Sequence, residues 1–280
     1  MSGYRFCRTD DIALLVDALN RCWSPYFPDE PPMTPAAFKR SIRDLQIWCS
    51  SCMVAFAGSD PVGVLIGAKR SWATLIHRIA VHPDHVRQGH GRHLLTSLCS
   101  KLAILGPPRM IAEVPETWAA ASGLFSTSGY AHETLLTDYV WREAEAKVPE
   151  GEAMFVIPVT VDDLAANALL EDLPPTCWQR SVETLQARKD DIAGLAVASD
   201  DRIEAYVLYI NGGEILALRS VIDDGGVRLG QLLSRLHAQG MSAFTFPRVH
   251  PEEISKESLA TLGFRPSGNY LLYATTARSE

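Results

Sequence analysis

Residues 79–95 read Ile-Ala-Val-His-Pro-Asp-His-Val-Arg-Gln-Gly-His-Gly-Arg-His-Leu-Leu. The apolar approach to Val81 predicts a strand. A short loop ends in Gly89 and Gly91, and Leu94, Leu95, Leu98 and Leu102 then recur at helical spacing. Glycines at a strand-to-helix junction leave backbone N–H groups facing outward with no Cβ to hold a ligand away. Together with the positive end of the helix dipole they suit phosphate oxygens. The dipole is worth about 0.3–1 kcal/mol at an exposed end, so several amide hydrogen bonds must do most of the holding. A glycine-rich helix cap without a ligand is the rival reading of the two glycines taken alone.

Two familiar phosphate loops do not fit. A dinucleotide fingerprint needs a third glycine where Leu94 stands. A P-loop needs Gly-Lys-Ser/Thr where the chain has Gly91-Arg92-His93.

The 280 residues allow one large domain or two ordinary ones. Charge is divided unevenly: residues 1–145 hold 14 basic and 14 acidic side chains, residues 146–280 hold 12 and 19. Neither half has a basic cluster, so no nucleic-acid partner is expected. No apolar run reaches about 18 residues and the first residues lack a leader pattern, so no membrane association and a cytoplasmic location are expected. Cys49 and Cys52 have a redox-like spacing, but no second pair of ligands accompanies them; buried reduced thiols, and no metal, are expected.

Strands are expected at residues 4–8, 53–57, 62–68, 74–81, 109–114 and 135–141. Helices are expected from Asp10-Asp11, from Thr34-Pro35, near His90 and over residues 116–126. After a charged stretch the same order recurs, with strands near Met154, Ile192, Ile203, Ile215, Ser242 and Tyr270 and helices near Asp162, Trp178, Gly226 and Pro251. Ser128-Gly129-Tyr130 and Leu262-Gly263-Phe264 precede the two closing strands. The recurrence points to a duplicated domain. The expected organisation is a first domain over 1–145, a linker over 146–152 and a second domain over 153–280.

The segment Ile79-Ala80-Val81-His82-Pro83, followed by Val86-Arg87-Gln88-Gly89-His90-Gly91, resembles the acetyl-CoA signature of the GNAT superfamily of N-acetyltransferases, in its tandem-domain type with a degenerate second domain. Val86 departs from the family's Gln or Arg. Pro61-Val62-Gly63 resembles the preceding hairpin. Residues 109–141 resemble the closing strand-helix-strand unit, where Ala121 and Leu124 match. Trp118 replaces an asparagine that contacts the cofactor, and Phe125 replaces a tyrosine that protonates the leaving thiolate. The resemblance implies an α/β (α+β) fold of two domains, each a mixed, mostly antiparallel twisted sheet flanked by helices.

It further implies an acetyl-CoA-dependent acyltransferase moving acetyl directly to a primary amine, with a small molecule as acceptor; a protein amine or a non-catalytic acyl-CoA sensor are the alternatives. Ile79, Ala80, Val81, Arg87, Gln88, Gly89, His90, Gly91 and Arg92 are the expected cofactor contacts, with a backbone N–H near Val81 polarising the thioester. His77, sharing a face with Ile79 and Val81 by alternation, and Glu113 on the next strand are the candidate bases, ahead of Tyr130 and Tyr139. Trp23, Tyr26 and Phe27 are expected to line the acceptor site, with Asp29 and Glu30 suiting a cationic amine. In the second half, aligning Leu232-Leu233 with Leu94-Leu95 sets Val227 and Leu229 against Gly89 and Gly91, and Asp223 and Asp224 would repel pyrophosphate. A monomer or a homodimer is expected.

Overall fold

The apolar runs of the first half become strands, and a turn at Gly58 and Ser59 joins two of them as a hairpin, with Asp60 and Pro61 already paired in the second. A computed structural model describes residues 2–142, 154–171 and 173–277. In the first half they form β1 (Ser2–Phe6), α1 (Ile12–Cys22), α2 (Pro35–Leu45), β2 (Met53–Ala57), β3 (Asp60–Lys69), β4 (Thr74–Val81), α3 (His90–Leu105), β5 (Arg109–Pro115), α4 (Ala119–Thr127) and β6 (Ala131–Arg142). The second half holds β7 (Val156–Pro158), α5 (Val161–Ala166), α6 (Val182–Ala187), β8 (Ala193–Ala198), β9 (Ile203–Ile210), β10 (Glu214–Ser220), α7 (Val227–Ala238), β11 (Ala243–Val249), α8 (Lys256–Thr261) and β12 (Phe264–Thr276). The expected linker lies outside the described residues.

Thr34 caps α2 as its sequence predicts, its hydroxyl accepting from Ala37 N with Pro35 beginning the helix. Asp11 does not cap α1 through its side chain; its carboxylate turns back to accept from Arg8 N and from the Arg5 guanidinium. The helix expected at Trp178 is a single 3-10 turn, Trp178–Arg180, ahead of α6.

The compact units do not follow the sequential halves expected at 1–145 and 153–280. One unit comprises Met1–Thr134 with Leu271–Glu280, the other Leu135–Tyr270. β6 and β12 are the longest strands, and each begins in the unit of its own half and ends in the other.

In the first unit the sheet order is β1-β2-β3-β4-β5-β12. Its first four strands are antiparallel and β5 runs parallel to β4. Met53, Leu65 and Ile76 pack with Leu94, Leu95, Leu98 and Leu102 of α3. That helix presents its leucine stripe because 3.6-residue periodicity returns those positions to one face. Read from its outer strand, the second unit runs β7-β8-β9-β10-β11-β6, with β11 parallel to β10. Strand for strand the two orders correspond, and each unit takes its sixth strand from the other half of the sequence. Leu229, Leu232, Leu233 and Leu236 of α7 fill the place that the leucines of α3 fill in the first unit.

Candidate active site

The site begins with a fault in a sheet. Along β3 and β4, Ile66 pairs with Arg78 but the next residue, Gly67, pairs with Ile76, so His77 is the extra residue of a bulge. Bulges twist a strand and end its pairing on the far side. The pairing of β4 with β5 is indeed confined to Thr74 with Met110 and Leu75 with Ile111. Beyond them the two strands part, leaving a wedge bordered by the second half of β4 and the end of β5.

The backbone of β4 faces this wedge in a defined way. His82 N–H donates to Val62 O at 2.9 Å, back toward β3. Polar groups of successive residues on an extended strand point to opposite edges, so the N–H and C=O of Val81 and Ile79 face the wedge. Ala80, opposite Val64, faces β3 instead. Tyr26 marks the same edge, its hydroxyl donating to Val81 O at 2.7 Å.

At the end of β4 the chain turns into α3. Arg87 and Gly89 both adopt left-handed backbone, with φ of 63° and 87°. Alternation of handedness in such a loop turns neighbouring N–H groups toward one concavity. A Cβ at Gly89 would meet no atom, so its glycine serves the backbone angle rather than space. No side chain caps α3, and its first-turn N–H groups have no partner within the helix. That is a cradle for an anion. Gly91 has another task, since a Cβ there would come 3.1 Å from Leu124; its absence lets α4 close on α3. The His90 ring is buried, its Nδ1 and the Tyr4 hydroxyl hydrogen-bonding at 2.8 Å, so His90 offers the cradle its backbone only. Burial, with His85 and His93 nearby, lowers its pKa. Val86, Arg87, Gln88 and Arg92 are exposed around the loop.

The segment after α1 lies against both sides of the wedge. Phe27 stacks on Trp23 at 4.5 Å and on Trp118, the residue ahead of α4, at 4.6 Å. On the other side, the Arg78 guanidinium lies 4.7 Å from the centroid of Trp23. The Glu30 carboxylate accepts from Trp23 Nε1 at 3.2 Å and sits 3.6 Å from Arg78 Nη2. The stack therefore runs from β4 to α4, straddling the gap. Sequence reading finds Trp23, Tyr26 and Phe27 but misses the parts played by Trp118 and Arg78. Trp118 stands out only as a departure from a motif, and Arg78 carries no local signal.

The candidate bases fare differently. The alternation that sets His77 on the face of Ile79 and Val81 is broken by the bulge: Ile76 and Ile79, three apart, pack into the same cluster. His77 and Glu113 are both half-buried, His77 where β4 leaves β5 and Glu113 on β5 past its last pair with β4. Tyr130 is a core residue, its hydroxyl donating to Met110 Sδ, and burial pushes its pKa far up. Tyr139 belongs to the second unit. Phe125 is buried against Tyr130 and Tyr273. Cys49 and Cys52 are free thiols, and burial pushes both pKa values up, which suits packing rather than redox chemistry. No helix among the described residues is long and apolar enough to cross a membrane, and among them no cluster suited to a metal ion occurs.

Residues 13–130 match the model of the acetyltransferase (GNAT) family. This part of the chain is similar to a GNAT domain. The fold of the whole chain is shared with solved GNAT structures. A GCN5-related N-acetyltransferase from Sphaerobacter thermophilus is 14% identical, with a TM-score of 0.68 over 99% of this chain and 96% of that one. A tandem GNAT protein from the clavulanic acid biosynthesis pathway is 15% identical, with a TM-score of 0.64 over 99% of each chain. A GCN5-related N-acetyltransferase from Kribbella flavida is 12% identical, with a TM-score of 0.66 over 99% of this chain and 74% of that one. The chain thus has a tandem GNAT fold, and acyl transfer is the chemistry of the family.

The second GNAT-like unit keeps the framework and closes both of its openings. β10 is also bulged, at Leu216, where Ile215 pairs with Tyr209 and Ala217 with Leu208. Its pairing with β11 is a single contact, Glu214 with Thr245. Here Arg180 bridges the strands: its guanidinium donates to Leu216 O on β10, to Pro247 O and Arg248 O on β11, and to both oxygens of Glu253. At the start of α7, Gly226 is left-handed with φ of 90°, so the helix-cap glycine is retained one residue before the position the leucine alignment indicates. What differs is Asp224, whose carboxylate accepts from Gly226 N and Arg228 N, both at 3.0 Å. Arg228 pairs in turn with Asp224 and Glu204.

Proposed function

We propose that the first unit transfers an acetyl group from acetyl-CoA directly to the primary amine of a small molecule, and that the second unit holds no second cofactor. The observation that carries this reading is the open wedge of β4 and β5 set beside the uncapped start of α3. The uncapped N–H groups of residues 87–92 fit a pyrophosphate, and the wedge-facing backbone of Ile79 and Val81 fits the amide-bearing arm and the thioester. Acetyl-CoA, when bound, supplies an activated acetyl group. The protein then has three tasks.

Val81 N–H polarises the thioester carbonyl; one such donor is worth about 2.7–4 kcal/mol in other acyl-transfer enzymes. A base, His77 or Glu113, takes a proton from an amine that is mostly protonated near neutral pH when free. The amine nitrogen bonds to the carbonyl carbon as the carbon–sulfur bond breaks and releases its remaining surplus proton to solvent, while sulfur takes the electron pair and a proton. Phe125 has none to give. Tyr26 has one, its hydroxyl lying at the wedge edge on Val81 O, and it regains the proton from solvent.

The aromatic stack favours a small acceptor over a protein terminus, since it straddles the gap that a peptide would have to enter. Thiol release from acetyl-CoA across a library of small amines and amine-terminated peptides tests the reading. Turnover confined to small amines is expected. Turnover confined to peptides would move the acceptor to proteins, and tight acetyl-CoA binding without turnover would turn the reading into an acyl-CoA-binding module.

A further inference from the structure

Beside the wedge stands a cation whose hydrogen-bonding capacity the described residues leave unused. Arg78 leaves β4 next to the bulge, and its side chain is only 22% exposed. A guanidinium carries five N–H donors in a planar fork. Among the described residues none accepts a hydrogen bond from the Arg78 guanidinium; its contacts are the face of Trp23 and the Glu30 carboxylate at 3.6 Å. Two other shielded arginines, Arg180 and Arg228, behave differently. Arg180 spends its fork on three carbonyls and a carboxylate, and Arg228 spends its own on Asp224 and Glu204. A partly desolvated charge without hydrogen bonds is costly unless a ligand completes it.

We propose that Arg78 is the anion site of the acceptor, so that the amine acetylated here also carries a carboxylate. This rests on the transferase reading of the same wedge. The Arg78 fork suits a carboxylate through two parallel N–H···O bonds, a geometry an ammonium group cannot reproduce. Trp23 supports the plane of the fork from one side, and Glu30, tied to Trp23 Nε1, holds it in place. Glu30 is therefore a positioning residue for Arg78 rather than a binder of cationic amines. Arg78 and Val81 are three residues apart on one strand, about 10 Å along it. That span suits an amine and a carboxylate on one amino-acid-sized molecule.

Calorimetry on the enzyme saturated with CoA, using the standard amino acids, ω-amino acids and the carboxamide of each, reads the inference without turnover. At least one acid should bind about 10- to 100-fold tighter than its amide, the range of a hydrogen bond to a charged group. Arg78→Gln should erase that gap, and Arg78→Lys should restore part of it. Equal binding of acid and amide, a gap that survives in Arg78→Gln, or no binding of any acid would overturn it. Thiol release on the same panel separates the two readings. A carboxylate gap without turnover keeps the anion site and removes the transferase; turnover without a gap does the reverse.

Discussion

The two units solve the same structural problem in opposite ways. Each has a bulged strand parting from its parallel neighbour, and each follows that strand with a helix whose first N–H groups need partners. In the first unit Tyr26 touches β4 at a single carbonyl and α3 begins uncapped. In the second, Arg180 fills the gap between β10 and β11 and the Asp224 carboxylate occupies the start of α7. Tyr26 and Arg180 stand at the same place, each the last residue of a 3-10 turn between the first two helices of its unit. On the proposed reading, the second unit lacks a ligand site less through loss of glycines than through satisfying the groups a ligand would satisfy. Gly226 survives; its N–H is simply spoken for.

The contrast can be broken at several points. The largest effect is expected at Arg180. Arg180→Met leaves Glu253 buried without its cation, and losing one partner of such a pair typically costs about 3–5 kcal/mol. Urea unfolding should show this, and a loss under 1 kcal/mol would mean that the pair does not hold the second unit together. Next comes Tyr26→Phe in the first unit, which should lower kcat about 100-fold with acetyl-CoA binding retained; an unchanged kcat would remove Tyr26 as the proton donor. His77→Gln and Glu113→Gln sharpen the same region. Whichever residue is the base should, when replaced, remove from the fall of kcat toward low pH the step that the other variant keeps. The smallest effect is expected at Asp224. Asp224→Ala removes a helix cap worth about 1 kcal/mol and should create no acetyl-CoA binding, because Arg180 still fills the wedge.

Much of the first unit was legible because its signals are local. Gly89 is required by a left-handed cap, the leucines of α3 by helical periodicity, and Thr34-Pro35 by the chemistry of a helix start. What escaped depends on partners distant in sequence. The bulge at His77 exists only in the pairing of β4 with β3, so alternation counted along β4 alone cannot be carried across it. Arg78 and Trp118 acquire meaning from Trp23 and Phe27, which lie 55 and 91 residues away respectively. Strand exchange leaves no periodic trace either, since nothing along β6 or β12 says which sheet edge each strand joins. In the second unit the aligned leucines sit one residue out of step with the cap, which hid Gly226.

The central claim is one acetyl-CoA site per chain, in the first unit. Titration calorimetry of the intact protein and of the Gly89→Asp/Gly91→Asp variant, each checked for folding by circular dichroism, tests it most directly. A stoichiometry of one is expected for the intact chain and no measurable binding in the variant. Two sites per chain, or full binding in a folded variant, would contradict it.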